Sequence, residues 1–151
     1  WARHLIRTRE LQRETGGFTE FVGLPFVHMA SPIYLRKGAR RGPTFRENLL
    51  VHAIARIVYH GYIDNIQASW VKIGLDGMKQ MLQAGVNDVG GTLNGENISR
   101  AAGAKHGQML GKSQFEELCQ PLGRELIQRT TLYKTHRGPE GQRKHIPVAA
   151  E

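Results

Sequence analysis

The sequence predicts an α/β chain in which strands alternate with helices. Three observations carry that fold class. Runs rich in aromatic and β-branched residues, such as FTEFVGLPFVH (18–28), are separated by segments of helical period. Glycines close those segments, at Gly61, Gly85 and Gly103. The order helix, strand, helix, strand, helix, strand, helix is that of βαβ units with parallel strands. Two architectures fit it, an open doubly wound sheet and part of a (β/α)8 barrel. A complete barrel takes about 250 residues, so a chain of 151 residues admits only a partial barrel. The first residue is Trp1 rather than Met, which leads us to expect a piece of a longer protein.

Residues 1–15 read as a helix with Trp1, Leu5 and Leu11 near helical spacing, stopped by Gly16-Gly17. Phe18–His28 reads as a strand and its exit, with Pro25 ending regular pairing. A loop over 29–43 follows. Thr44 and Glu47 have capping-box spacing, in which the hydroxyl accepts from an orphan amide and the carboxylate reaches back. The helix they open places Leu49, Leu50, Ala53, Ile54, Ile57 and Val58 on one face, expected to be the core face, and Gly61 stops it. NIQASWVKI (65–73) reads as a second strand. A helix from Asp76 buries Met78, Met81 and Leu82 and ends at Gly85. Asn87–Leu93 reads as a short third strand, followed by a short helix around 96–102. Ser113 and Glu116 repeat the capping-box spacing, and Pro121 should break the helix they open. Gln128–Tyr133 reads as extended. From Lys134 onward the composition is Gly, Pro, Arg and His without a core pattern, as in a disordered tail.

Composition narrows the function. The net charge is +8, which suits nucleic acid, acidic surfaces or anionic ligands. Arg36, Lys37, Arg40 and Arg41 form one basic cluster, but no aromatic residues interleave it as in a base-stacking platform, so nucleic acid is the disfavoured partner. No apolar run approaches the ~20 residues that span a bilayer, so no membrane partner is expected. Cys119 is the single cysteine. It reads as a buried small apolar residue and fits a reducing, cytoplasmic setting. His28, His52 and His106 have no second histidine three or four residues on, so none reads as a metal ligand.

The strands carry more polar residues than a sheet covered on both faces tolerates. Glu20 and His28 lie in the first, Asn65, Gln67, Ser69 and Lys72 in the second, and Asn87, Asp88 and Thr92 in the third. Buried polar groups must be hydrogen-bonded or stand at a functional strand end. Convergence from three consecutive strands is the pattern of a barrel mouth. The glycine-rich segment NDVGGTLNGEN has neither G-x-G-x-x-G nor G-K-[ST], so it is no nucleotide-phosphate loop. Glu96 and Asn97 follow it at a helix start. The candidate cavity-lining residues are therefore Glu20, His28, Gln67, Ser69, Asn87, Asp88, Thr92, Glu96 and Asn97.

Several longer stretches are distinctive as they stand: FTEFVGLPFVH, GPTFRENLLVHAIAR, NIQASWVKIG, MLQAGVNDVGGTL, ENISRAAGAKHGQ and QRTTLY, in that order. Together they resemble the C-terminal part of the FO synthase family, in its tyrosine-using half, the 5-amino-6-(D-ribitylamino)uracil–L-tyrosine 4-hydroxyphenyl transferase. The resemblance implies the last three or so βα units of a (β/α) barrel of radical AdoMet type over residues 1–133, with 134–151 as a basic tail. It also implies the chemistry of deazaflavin biosynthesis. A 4Fe–4S cluster reduces S-adenosyl-L-methionine to a deoxyadenosyl radical, which abstracts hydrogen from L-tyrosine. The 4-hydroxybenzyl fragment then joins 5-amino-6-(D-ribitylamino)uracil. Such a cluster needs three thiolates in a C-x3-C-x2-C motif. With Cys119 alone this chain holds none of that motif, so its activity is expected to require the missing N-terminal half of the barrel. Two departures stand out: Gly23 where the family pattern has proline, and Asn94-Gly95 where Met-Asn or Met-Asp is usual. A menaquinone-pathway radical AdoMet enzyme is the nearest alternative. An independent basic nucleic-acid module and a doubly wound anion-binding domain are the others.

Overall fold

The computed structural model describes residues 1–93, 95, 97–106 and 109–134. The expected tail from Lys134 onward therefore lies, Lys134 apart, outside the described residues, as does Glu96.

The chain opens with α1 (Ala2–Thr15), stopped as expected by Gly16 at φ 61. Leu5 is buried, whereas Trp1 and Leu11 of the expected face are exposed. The other buried residue of α1 is Gln12. Its carboxamide donates to the carbonyls of Phe18 and Tyr62, both at 3.0 Å, and accepts from the Phe18 N–H at 2.7 Å. A fully bonded carboxamide can be buried, and this one fastens α1 to the entry of the sheet.

The sheet is parallel, as predicted, but short. β1 (Phe21–Val22) pairs with β2 (Ile66–Gln67) in the register Phe21↔Ile66 and Val22↔Gln67. The third strand contributes only the parallel bridge Gln67↔Asp88. The second strand was expected to continue to Ile73. Instead Ser69 is the N-cap of α4 (Trp70–Gln83). The reason lies with Trp70, whose indole N–H donates to the Gly91 carbonyl at 3.1 Å and whose ring meets Phe115 edge-on. That tertiary anchor outweighs the strand propensity of WVKI. Gly74, at φ 73 and ψ 175, then breaks the helix, so its regular part begins close to the expected Asp76. Met78, Met81 and Leu82 are buried as expected, and Gly85 turns left-handed at φ 105.

Between the strands, the expected loop contains the single turn α2 (Pro32–Leu35). Then comes α3 (Phe45–Val58), opened by the capping box: Glu47 N–H donates to Thr44 Oγ1 at 3.2 Å, and Thr44 N–H to Glu47 Oε2 at 2.7 Å. The rotation of α3 differs from expectation. Its buried side carries Asn48, His52 and Ala55, continued by Tyr59 just beyond the helix, while Leu50, Ile54 and Ile57 are 47%, 45% and 75% exposed. Two contacts explain this. The Phe21 ring packs against Tyr59 and His52, with centroids at 5.1 and 6.2 Å. Gly23 leaves the space His52 fills, since a Cβ there would lie 2.8 Å from His52 Cε1.

The last third holds α5 (Ile98–Ala101) and α6 (Lys112–Cys119). α6 starts one residue before Ser113, with Gly111 as N-cap and its N–H bonded to Gln114 Oε1 at 3.0 Å, so the expected Ser113–Glu116 box does not form. A 3-10 turn over Gln120–Leu122 takes up Pro121. The expected extended segment ends in a turn closed by Tyr133 N–H to Thr130 O, with Tyr133 itself at φ 58. The core lies between the helices and one sheet face, around Tyr59, Ile63, Ile66, Met78, Met81 and Val86. Among the described residues, no helix is long and apolar enough to cross a membrane.

Gly23→Ala is expected to destabilise the fold by about 1–3 kcal/mol, the range for overpacking. In a double-mutant cycle with His52→Ala, measured by chemical denaturation, that penalty should shrink markedly, because the clash is with the imidazole.

Candidate functional site

Side chains alternate across a strand, so the register sorts the sheet residues into two sets. Phe21, Ile66 and Ala68 belong to the core side, where Ile66 and Ala68 are fully buried. Glu20, Val22, Gln67 and Asp88 share the opposite face. There Gln67 Nε2 donates to Glu20 Oε2 at 2.8 Å. Two residues of the last described segment close over them. The Tyr133 hydroxyl donates to the same Glu20 oxygen, and Arg129 Nε donates to Asp88 Oδ2. Arg129 Nη2 also lies 3.8 Å from Glu20 Oε2, and the guanidinium stacks 4.1 Å above the Tyr133 ring. The second Asp88 oxygen accepts from the Gly90 N–H at 2.7 Å, in a turn that Gly90 makes at φ 73.

One guanidinium thus serves two carboxylates. Burial works against the Arg129 charge, but the hydrogen bond and charge of Asp88, with Tyr133 and Glu20, raise its pKa overall. The Tyr133 phenol is pushed well up, first by burial, then by its hydrogen bond to Glu20 and the charges of Asp88 and Glu20. The contacts to Glu20 all fall on Oε2. Glu20 Oε1 and Gln67 Oε1 accept no hydrogen bond from any described residue. The face therefore carries two acceptors that no described residue occupies.

Three of the nine candidates, Glu20, Gln67 and Asp88, come together here. Ser69 follows two residues after Gln67, half-buried at the start of α4, without a side-chain capping bond. His28 stands apart, its Nδ1 accepting from the Gly42 N–H at 3.1 Å and its ring against Tyr34. Asn87 alternates to the other side of Asp88. Its Oδ1 accepts from Arg56 at 2.6 Å and from the Ile66 N–H at 2.8 Å, and its Nδ2 donates to the Asp64 carbonyl at 3.1 Å. Thr92 and Asn97 are exposed, and Asn97 is the N-cap of α5 without a side-chain bond. Glu96 is outside the described residues. Sequence reasoning missed Arg129 and Tyr133. Their available signal was that the strand face of Glu20, Gln67 and Asp88 carries two acids and no cation, since Lys72 falls on the opposite alternation from Gln67, so a residue elsewhere had to supply one.

Cys119 is buried at the end of α6, and burial raises its thiol pKa, partly offset by Arg124. Its expected role as a small buried residue holds. Among the described residues no group of three or more His, Cys, Asp and Glu could hold a metal ion. One inaccessible thiol does not fit a cluster that takes three thiolates, so the residues present are not its ligand set.

Two outcomes follow from this geometry. A raised phenol pKa favours the neutral donor in the folded state, so its contribution is present below the ordinary value of 10.0 and lost as pH rises past it. Denaturation between pH 9 and 11 should show a decline in stability that is smaller in Tyr133→Phe. Asn87→Ala, which leaves the Ile66 N–H and Arg56 without their acceptor, is expected to lower stability by about 1–3 kcal/mol in the same assay.

Curated relatives match most of the chain in sequence. FO synthase from Nocardia farcinica is 54% identical over 133 residues, 88% of this chain and 15% of that protein. FO synthase from Streptomyces coelicolor is 49% identical over the same share of this chain. The 5-amino-6-(D-ribitylamino)uracil–L-tyrosine 4-hydroxyphenyl transferase from Methanopyrus kandleri is 51% identical over 134 residues, 89% of this chain and 36% of that protein. The chain thus spans a minor part of each of these three relatives. The family model described as the CofH/MqnC C-terminal region matches residues 15–140. Glu20, Gln67, Asp88, Arg129 and Tyr133 all fall inside that span, and the chain belongs to this family.

Proposed function

We propose that this chain supplies one wall of the substrate cavity in an FO synthase-type transferase, which joins the 4-hydroxybenzyl part of L-tyrosine to 5-amino-6-(D-ribitylamino)uracil. In this reading residues 1–133 are the last βα units of a (β/α) barrel of radical AdoMet type, residues 134–151 are a separate tail, and the protein works in the cytoplasm. The observation that carries it is the pair of free acceptors, Glu20 Oε1 and Gln67 Oε1, on the polar sheet face. An ammonium group and the exocyclic amines of a diaminopyrimidine are donors of the kind such a pair binds. Relatives 51–54% identical over 88–89% of the chain, whose names state both substrates or FO synthesis, support the same choice.

The roles of the chain's own residues follow. Gln67, held by Glu20 through its amide nitrogen, presents its carbonyl in a fixed direction. Arg129 bridges Asp88 and Glu20, two acidic side chains that would repel each other without a cation between them. Tyr133 fixes the Glu20 rotamer through Oε2 and leaves Oε1 to the ligand. Ser69, Thr92 and Asn97, and by its place in the sequence Glu96, are assigned to the cavity rim, while His28 stands outside it. Asn87 is assigned to the strand's support rather than to the ligand. The iron–sulfur cluster, which with AdoMet supplies the radical in this class, requires thiolates other than the buried Cys119, while the same cavity residues are assigned to AdoMet as well as to substrate.

The test is made in the cluster-loaded protein that carries this chain, given L-tyrosine, the diaminouracil, AdoMet and a reductant. Deazaflavin fluorescence and 5′-deoxyadenosine are measured. The protein should form both, and Gln67→Leu should lower kcat/KM for the diaminouracil or tyrosine by about 10–100-fold, as loss of a hydrogen bond to a charged group implies. Absence of both products would reject the reading.

A further inference from the structure

A second cavity, of about 390 Å³, lies between α3, α4 and the segment leaving β1, and it is not lined by Glu20, Gln67 or Asp88. Its most telling residue is Asn48. The side chain lines the cavity, the residue is only 6% exposed, and its carboxamide makes no hydrogen bond to any described residue. A carboxamide in that position is left to be satisfied by whatever enters the cavity.

The remaining polar lining comes from Lys72, His28, His106, Thr44 and Gln80, and among the described residues no Asp or Glu lines the cavity. Gln80 Nε2 donates within its own helix, to the Asp76 carbonyl. The Lys72 ammonium donates to Ser99 Oγ at 3.0 Å and has two further hydrogens to give. His28 accepts through Nδ1 from the Gly42 N–H, so Nε2 carries the proton and can donate. His106 reaches the cavity because Gly74 has no side chain, as a Cβ there would lie 2.7 Å from His106 Nδ1. Thr44 and Phe45, at the N-terminus of α3, border the same space, and Glu47 is tied into the cap with Thr44. The walls are apolar and partly aromatic, from Phe26, Phe45 and Ile73.

We propose that this cavity is a binding site for a small organic anion, a carboxylate carried on an apolar or aromatic body. The carboxylate meets the Lys72 ammonium and the donors of His28 and Asn48, and the body packs between Phe26, Phe45 and Ile73. The site is separate from the polar sheet face and does not depend on the function assigned there.

The full chain, labelled with 15N-histidine, is titrated with benzoate, benzyl alcohol and inorganic phosphate. Ring signals of His28 and His106 are followed by NMR, and thermal transitions are recorded for each variant. Benzoate should shift both rings saturably, with benzyl alcohol and phosphate at least tenfold weaker. Lys72→Gln, which keeps a donor for Ser99, should weaken benzoate at least tenfold with an unchanged thermal transition, and Asn48→Ala should weaken it as well. The absence of a saturable benzoate shift, or unaltered affinity in Lys72→Gln, would overturn the proposal. An equal response to phosphate would overturn the organic part of the assignment, and an equal response to benzyl alcohol the anionic part.

Discussion

The parallel register of the three strands is the constraint on which the rest depends. With Phe21 opposite Ile66, Val22 opposite Gln67, and Gln67 opposite Asp88, alternation alone sends Phe21, Ile66 and Ala68 to the helices and Glu20, Gln67 and Asp88 to the other face. A slip of one residue in β2 would bury the Gln67 carboxamide among Tyr59 and Met78 and expose Ile66. The register is held by specific bonds outside the ladder. Asn87 ties the Ile66 amide, the Asp64 carbonyl and Arg56 together, and Arg56 also bonds the Gly85 carbonyl at 2.7 Å. Asn87, expected from the sequence to line the cavity, instead ties the third strand to the second and so helps keep its neighbour Asp88 on the polar side.

That face would be unstable without Arg129. Asp88 is 9% exposed and Glu20 stands nearby, half-buried, so two acids share one partly enclosed surface. The guanidinium between them, stacked on Tyr133, turns mutual repulsion into a bonded array. The array joins residues 41 and 113 positions apart in sequence. It joins the first strand, the third strand and the last described segment into one surface.

Local signals proved legible and non-local ones did not. The Thr44–Glu47 box, the glycine stops at Gly16 and Gly85, and the burial of Met78, Met81 and Leu82 each rest on a few neighbouring residues, and each appears in the structure. The parallel order and the meeting of Glu20, Gln67 and Asp88 were also readable, because alternation and polar content are written along each strand. The rotation of α3 was not. Its apolar stripe suggested a core face, but the absent side chain of Gly23 and the ring of Phe21 select His52 and Tyr59 for burial. Trp70 likewise starts a helix inside a strand-like run, because its indole finds the Gly91 carbonyl. Arg129 and Tyr133 sit in a segment with no periodicity, and only their distant partners give them a role.

The central claim is that the polar sheet face meets the substrate. The most direct measurement is a crystal structure of the cluster-bearing protein that carries this chain, with L-tyrosine or 5-amino-6-(D-ribitylamino)uracil bound. A ligand nitrogen within hydrogen-bond distance of Glu20 Oε1 or Gln67 Oε1, with Arg129 still bridging Asp88 and Glu20, is the expected result. Both substrates bound elsewhere, with those two oxygens facing only water or protein, would contradict it.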